Sequence, residues 1–325
     1  MNAPRWFTSA LATDRRRRTV EVSGCPINMV EWGTRGKPGL VFIHGGAAHV
    51  EWWAHITPLF TQWYHAVALD LSGHGDSGRR DRYSHDLWAE EVVAVADAAG
   101  FPSPAVVIGH SLGGLVAIQT AATHGDRLAG AIIVDSPVRR PAPESEEGTR
   151  GRAFRSPGVY QDLETALTHF RLVPPQPDPE PWILNRVALH SLTQTPAGWT
   201  WKFDPNLFTH TMVAMNDQLA SVRCRVAVVR GEHSVVVPED TAEYMYELMG
   251  RLSPVVTIPE AHHHLLLDQP LSFVSALRAL LADWEHSVPV RESVRDPRRT
   301  AASPDPSNAP PGPEDQDRRG AMHSG

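Results

Sequence analysis

A serine stands between glycines in residues 106–114, which read VVIGHSLGG. The apolar run before it is typical of a buried strand, and the residues from Ser111 to about 123 have the composition of a helix. Gly109 and Gly113 fit the G-x-S-x-G pattern, in which a sharp strand-to-helix turn raises a serine hydroxyl above the sheet. Glycines relieve crowding in such a turn because they have no Cβ. The pattern alone is weak, but its position between a strand and a helix predicts that Ser111 is a nucleophile.

The elements that must position this serine alternate along the chain. A hairpin is predicted at 19–23 and 27–32. Short apolar strands are predicted to alternate with helices, which indicates a mostly parallel sheet covered by helices on both faces. The predicted strands are 39–43, 66–70, 105–109, 131–135, 225–231 and 254–258, and the predicted helices are 52–63, 84–99, 111–123, 239–249 and 271–285.

Composition sets outer bounds on the protein. Of its 325 residues, 42% are hydrophobic and 21% are charged, and the net charge of −7 argues against a general nucleic-acid binder. No apolar run is long enough to span a membrane. Cys25 and Cys224 stand far apart, which favours reduced thiols and a cytoplasmic location. We therefore expect neither a nucleic acid nor a membrane as partner, and the oligomeric state is not indicated.

The order of these elements divides the chain into regions. The rhythm of strands and helices breaks between 137 and 220, where helical pieces are predicted at 160–170 and 180–192. The predicted domains are an N-terminal extension at 1–18, which includes a solvated run of four arginines, a core at 19–136 and 221–286, a helical cap at 137–220 and a disordered tail at 287–325.

Four motifs then resemble the α/β-hydrolase family, in the family's order. They are HGG at 44–46, DLSGHGDSG at 70–78, GHSLGG at 109–114 and IPEAHHHLLLDQP at 258–270. The resemblance covers roughly residues 19–286. It implies an eight-stranded sheet with a cap insertion.

The resemblance also implies a catalytic base in the last motif. The family pattern is similar to G-H-x-x-x-x-E-Q-P, and aligning its end with 268–270 selects His263. His262 stands where the family usually has glycine, so His262 and His264 remain alternatives. Adjacent histidines in an extended turn point in different directions, and for this reason we expect no metal shared among them.

The acid of the triad is open between two positions. The family usually has an Asp after its seventh strand in a pattern similar to G-x-x-D, but the chain has Ser234 there. Asp135 stands at the end of the sixth strand, where some family members carry the acid, and it is favoured because it needs no change in loop shape. Glu232, two residues before Ser234, is the alternative.

The resemblance also assigns the remaining site residues. The backbone N–H groups of Gly46 and Leu112 are expected to form the oxyanion hole, while Ala47, His110 and Trp182 are expected near the substrate. His44 is expected to brace its loop. The Asp70, His74 and Asp76 set is expected to hold a glycine-rich turn and no metal. Aromatic residues of the cap are expected to form mainly its own core, and they are Phe154, Tyr160, Phe170, Trp182, Trp199, Trp201 and Phe203.

The function implied is that of a serine hydrolase without cofactor. Its small, partly apolar substrate would be a carboxylic ester or related acyl compound cleaved through an acyl-enzyme. Alternatives on the same triad are carbon–carbon bond hydrolases, lactonases and cofactor-free haloperoxidase-like enzymes. The serine at 234 keeps a further alternative open, a ligand-binding protein without catalysis.

Overall fold

An eight-stranded sheet forms the centre of the protein, as seen in a computed structural model that describes residues 3–141, 158–208 and 214–286. The strand order is β1-β2-β4-β3-β5-β6-β9-β10. β1 and β2 pair antiparallel with their neighbours, and the other pairs are parallel. The predicted fold class is confirmed. The strands of this sheet are β1 Arg15–Val22, β2 Cys25–Trp32, β3 Gly39–Ile43, β4 His65–Leu69, β5 Ala105–His110, β6 Leu128–Val134, β9 Arg225–Gly231 and β10 Val255–Ile258.

Helices cover both faces of this sheet because its central strands are apolar on both sides. Val41 of β3 belongs to a cluster with Trp88 and Val116 on one face. Phe42 points to the other face, where its ring lies 5.1 Å from that of Trp53 and 5.9 Å from that of Phe60. The helices are α1 Arg5–Leu11, α2 His85–Ala99, α3 Leu112–His124, α4 Leu163–Thr168, α5 Pro181–His190, α6 Asn216–Ala220, α7 Glu239–Leu248, α8 Leu265–Asp268 and α9 Pro270–His286.

The N-terminal segment differs from the predicted extension at 1–18. It contains the helix α1, whose Phe7 and Ala10 are buried, and β1 begins at residue 15 instead of 19. The arginine run was interpreted as solvated, but Arg15 and Arg17 reach the buried carboxylate of Glu51. These ion pairs allow basic residues to join a strand at the edge of the sheet.

The cap region also differs in part from the helical insertion predicted at 137–220. The helices α4, α5 and α6 are present, but a two-stranded hairpin of β7 (Leu192–Thr195) and β8 (Gly198–Trp201) lies between α5 and α6. The predicted helix at 52–63 consists of short 3-10 turns at Val50–Trp52 and Thr57–Phe60. The tail at 287–325 and two parts of the cap, 142–157 and 209–213, lie outside the described residues.

Within the described ranges, no helix has the length and apolar character needed to cross a membrane. Both cysteines are free thiols.

Candidate active site

Ser111 lies at the turn between β5 and α3 with a strained backbone. Its φ of 54° and ψ of −118° are unusual for a residue with a Cβ. The turn is held because the N–H of Ser111 donates to the Val134 carbonyl at 2.9 Å, and its own carbonyl accepts from the N–H of Gly114 at 3.0 Å. Ser111 is partly exposed, whereas the residues on either side of it are buried. The strain therefore presents one hydroxyl at the carboxyl end of the sheet.

The glycines around the serine allow the close approach of backbone that this turn requires. A Cβ at Gly109 would lie 2.0 Å from the Gly113 carbonyl oxygen, and a Cβ at Gly113 would lie 2.4 Å from the Ile43 carbonyl oxygen. Both contacts are with main-chain atoms, which cannot rotate away. The two glycines of the motif are thus steric requirements of the turn.

His263 meets the serine from the loop after β10. Its Nε2 lies 3.1 Å from the Oγ of Ser111, which is within hydrogen-bonding distance. His263 is buried, and its ring is fixed on the other side by a carboxylate. The alternative His262 instead contacts the Asp268 carboxylate, with its Nδ1 3.2 Å from Oδ2. Of the histidine triplet, His263 is the residue that reaches the nucleophile.

Asp135 is the carboxylate that holds His263. Its Oδ2 accepts from the Nδ1 of His263 at 2.7 Å, and its Oδ1 accepts from the N–H of Gly231 at 2.9 Å. Asp135 is fully buried at the end of β6. The alternative acid Glu232 does not fit this role, because its side chain is exposed and accepts from the N–H of Glu260.

Ser234 occupies the position where the family usually has the acid, and it contacts the acid directly. Its Oγ lies 2.5 Å from Oδ2 of Asp135. The same Oγ accepts from the N–H groups of Val236 and Val237, both at 3.1 Å, so that its own proton is left for Asp135. The sequence interpretation treated this serine only as a missing acid. The sequence did contain one indication of this contact, because the serine side chain at 234 is a hydrogen-bond donor.

The loop after β3 faces the nucleophile. Gly46 and Ala47 occupy the centre of a turn closed by the Ala48 N–H and the Gly45 carbonyl at 3.2 Å, and Ala47 has a φ of 56°. A Cβ on Gly45 would lie 3.2 Å from the Cβ of Ser111. The N–H of Leu112 is the first of α3 and has no partner within that helix. The loop after β3 and the first N–H of α3 thus both lie beside the Ser111 side chain.

His44 supports the loop after β3 through hydrogen bonds of its ring. Its Nε2 accepts from the Leu71 N–H at 3.0 Å, so the proton is on Nδ1, which lies 2.7 Å from the Gly45 carbonyl oxygen. Burial lowers the pKa of His44 to about 4, so the ring is neutral. This position agrees with a bracing role.

Two residues expected near the substrate have other contacts. His110 is buried, and its Nε2 lies 2.9 Å from the carbonyl oxygen of His263, so this ring supports the His263 loop. Trp182 packs against the N-terminal helix, with ring centroids 4.6 Å from Phe7 and 5.8 Å from Trp6. Trp182 is also partly exposed, and the placement of both residues near a substrate stays a prediction.

The other cap aromatic residues mostly contact one another. The ring of Trp201 lies 6.1 Å from that of Tyr160 and 5.9 Å from that of Phe170, and Tyr160 bridges Trp199 by backbone hydrogen bonds. These four residues pack against one another and remain partly exposed, and Phe154 lies outside the described residues.

The glycine-rich turn after β4 is organised by a buried carboxylate. Asp70 accepts from the Asn28 side chain and from the N–H groups of Val50 and Asp76, at 2.7, 2.7 and 2.8 Å. Burial raises the pKa of Asp70 to about 6. Asp76 pairs outward with Lys202. The Asp70 carboxylate is thus used by the turn itself, and the Asp76 carboxylate is used by ion pairs.

Comparisons with known proteins agree with this architecture. Residues 40–277 match the model of the alpha/beta hydrolase family. Esterase Rv0045c of Mycobacterium tuberculosis is 29% identical over 269 residues, covering 78% of this chain and 86% of the relative. The pimeloyl-acyl-carrier-protein methyl ester esterase of Aliivibrio fischeri is 27% identical over 256 residues, covering 77% and 96%. The crystal structure of E-2-(acetamidomethylene)succinate hydrolase has a TM-score of 0.71 at 19% identity, covering 83% of this chain and 100% of that one.

Proposed function

The chain belongs to the α/β hydrolase family, and from this membership and the site geometry we propose that it is a serine esterase. Its substrate would be a carboxylic ester of a small, partly apolar molecule, cleaved through an acyl-enzyme. One observation carries the proposal. Ser111, His263 and Asp135 form a hydrogen-bonded series, with distances of 3.1 and 2.7 Å, that starts at the strained turn between β5 and α3.

The chemistry follows from the order of these groups. The Oγ of Ser111 attacks the ester carbonyl while its proton passes to Nε2 of His263. Asp135 holds the proton on Nδ1 of that ring and stabilises the charge that the ring gains. The oxygen of the tetrahedral intermediate takes hydrogen bonds from the N–H groups of Gly46 and Leu112. Collapse of the intermediate releases the alcohol, which receives the proton from His263.

Deacylation repeats these steps with water as the nucleophile. Water gives a proton to His263 and attacks the acyl carbonyl, and Ser111 leaves with that proton as the acid is released. The mechanism needs no metal or redox cofactor. Relatives named esterase and methyl ester esterase support an ester as the bond cleaved.

The alternative of a ligand-binding protein rested on the absence of an acid at Ser234. It loses that support because Asp135 bonds to His263. The other reactions on the same triad differ from ester cleavage in substrate, which an ester assay addresses directly.

The experiment that tests the proposal is covalent labelling with a fluorophosphonate probe, together with hydrolysis of p-nitrophenyl esters of increasing acyl length. We expect labelling at Ser111 and turnover of short esters by the wild type. Both should be lost in Ser111→Ala and kept in Ser221→Ala, which removes an exposed serine hydroxyl on the surface. A folded wild type that is not labelled would contradict an activated serine. Labelling without turnover of any ester would argue for one of the other acyl or carbon–carbon substrates.

A further inference from the structure

Three imidazole rings lie close together beside Ser111. The ring centroid of His110 lies 4.9 Å from that of His263 and 5.7 Å from that of His264. The centroids of His263 and His264 lie 4.7 Å apart. One ring nitrogen of each lies within 4.8 Å of the corresponding nitrogens of the other two. The sequence analysis expected adjacent histidines to diverge. His262 does diverge, but His264 turns back toward His263 and joins a third histidine from the nucleophile turn.

In His110 and His263, one ring nitrogen donates a hydrogen bond and the other carries a lone pair. The Nε2 of His110 donates to the carbonyl oxygen of His263 at 2.9 Å, and its Nδ1 has no hydrogen-bond partner within the described ranges. His263 donates from Nδ1 to Asp135, which leaves the lone pair of Nε2 toward Ser111. Histidines that bind metals are oriented in this way, with the second N–H given to a carbonyl or a carboxylate.

His264 completes the set because both of its ring nitrogens are buried. Neither nitrogen makes a hydrogen bond of standard geometry to any residue that the structure describes, and the carbonyl groups of Val173 and Pro174 lie near the ring. A buried imidazole nitrogen without a hydrogen bond of standard geometry is costly, and a bound ligand would relieve that cost.

We propose that His110, His263 and His264 bind a first-row divalent transition cation such as Zn²⁺, and that this cation inhibits the enzyme reversibly. Three nitrogen donors favour Zn²⁺, Co²⁺ or Cu²⁺ over Mg²⁺ and Ca²⁺, which prefer oxygen. Zn–N bonds of 2.0–2.1 Å place the nitrogens of a tetrahedral site roughly 3.3 Å apart. The three nitrogens, now within 4.8 Å of each other, need to close by at most about 1.5 Å.

Inhibition follows from competition for one lone pair. Nε2 of His263 can accept the Ser111 proton or bind the cation, but it cannot do both. This step rests on the proposed function, in which His263 is the base. Metal binding itself does not depend on turnover and is therefore measured separately.

A second cluster must be separated from this one. Glu232, His233 and Glu260 also bring three ligand atoms within 4.8 Å of one another, but all three residues are exposed. Exposed acidic groups of this kind are common without a metal, and this cluster serves as the control.

The binding experiment titrates Co²⁺ and Zn²⁺ into the Ser111→Ala protein, which does not turn over. We expect one tight site by calorimetry and the visible absorption of tetrahedral Co²⁺. The affinity for Co²⁺ and Zn²⁺ should decrease by 10-fold or more in Ser111→Ala/His264→Phe. Ser111→Ala/His264→Gln replaces this variant if the phenyl ring disturbs packing, and the same decrease is expected. Ser111→Ala/His233→Asn should bind as the parent does. Equal binding with and without His264, or loss of binding only with His233→Asn, would overturn the proposal.

The activity experiment measures ester hydrolysis in increasing Zn²⁺, with EDTA added afterwards. Wild type and His233→Asn should be inhibited equally and recover with EDTA, while His264→Phe should need at least 10-fold more Zn²⁺. An enzyme that hydrolyses esters and is inhibited alike with and without His264 would refute only the metal site. A protein that binds Co²⁺ through His264 but hydrolyses no ester would refute only the proposed function.

Discussion

Replacing Ser234 by alanine tests how the triad acid is held. The hydroxyl of Ser234 lies 2.5 Å from the Asp135 oxygen that also accepts the Nδ1–H of His263 at 2.7 Å. Without this donor, the carboxylate keeps the Gly231 N–H on its other oxygen but loses one of the contacts that fix its plane. We expect kcat for p-nitrophenyl acetate to fall about tenfold, with KM nearly unchanged.

The size of the effect follows from what remains. A hydrogen bond to a charged group contributes about 1.5–3 kcal/mol, and Ser234→Ala leaves the carboxyl group of Asp135 and its bond to His263 in place. The loss should therefore be far smaller than the factor of about 10⁴ expected for Asp135→Asn, which removes the charge and reverses the tautomer preference. A tenfold decrease corresponds to about 1.4 kcal/mol of transition-state stabilisation. The unfolding free energy should also fall by about 1–3 kcal/mol, because the Val236 and Val237 N–H groups lose their acceptor.

The assay compares kcat, KM and urea unfolding for the wild type and four variants. Ser234→Thr restores a hydroxyl and should recover part of the activity. Ser191→Ala is the matched control, because Ser191 is also 5% exposed and makes two side-chain hydrogen bonds without contact to the triad. It should lose stability and keep kcat. A folded Ser234→Ala with wild-type kcat would refute the positioning role, as would a decrease equal to that of Asp135→Asn.

Three further predictions concern the framework of the site. Gly109→Ala places a Cβ 2.0 Å from the Gly113 carbonyl oxygen, so it should destabilise the fold by more than about 3 kcal/mol, and unfolding at the wild-type temperature would contradict this steric argument. Burial lowers the pKa of His55 to about 4, below its unfolded value near 6.5, so its contribution to stability is present above pH 6.5 and is lost as the pH falls toward 4. At pH 5 this lowers the free energy of unfolding of the wild type by about 2 kcal/mol. Between pH 8 and pH 5, the free energy of unfolding of His55→Gln should therefore decrease by about 2 kcal/mol less than that of the wild type. Equal decreases for the two proteins in urea titrations would contradict this prediction. Glu51→Gln weakens a buried carboxylate that pairs with three arginine side chains and should cost about 3 kcal/mol in urea unfolding, whereas Glu247→Gln, at an exposed pair, should cost little.

The parts of the fold that sequence predicts well are those encoded by neighbouring residues. β3, β5 and β6 appear as short apolar runs because they are buried on both faces. The nucleophile turn is equally local, since Gly109, Ser111 and Gly113 lie within five positions. In each case a few adjacent residues contain the physical requirement.

Contacts between residues that are distant in the sequence could not be predicted in this way. Arg15 joins a strand because it pairs with Glu51, which lies 36 positions later. An isolated arginine run contains no sign of such a partner, and it was interpreted as solvated. The hairpin β7–β8 was missed for a related reason, because Trp199 pairs with the backbone of Tyr160 and Trp201 contacts the Tyr160 ring, about 40 positions earlier in the chain.

The position of the acid is the clearest case of long-range dependence. Asp135 and Ser234 are 99 positions apart, yet β6 and β9 are neighbours in the sheet and their ends converge on one imidazole. Either end can supply the acid, but two buried carboxylates at 2.5 Å would repel and one would have to be protonated. A carboxylate at 135 therefore calls for a neutral hydrogen-bond donor at 234. A serine at 234 is therefore compatible with Asp135 as the acid of the proposed triad.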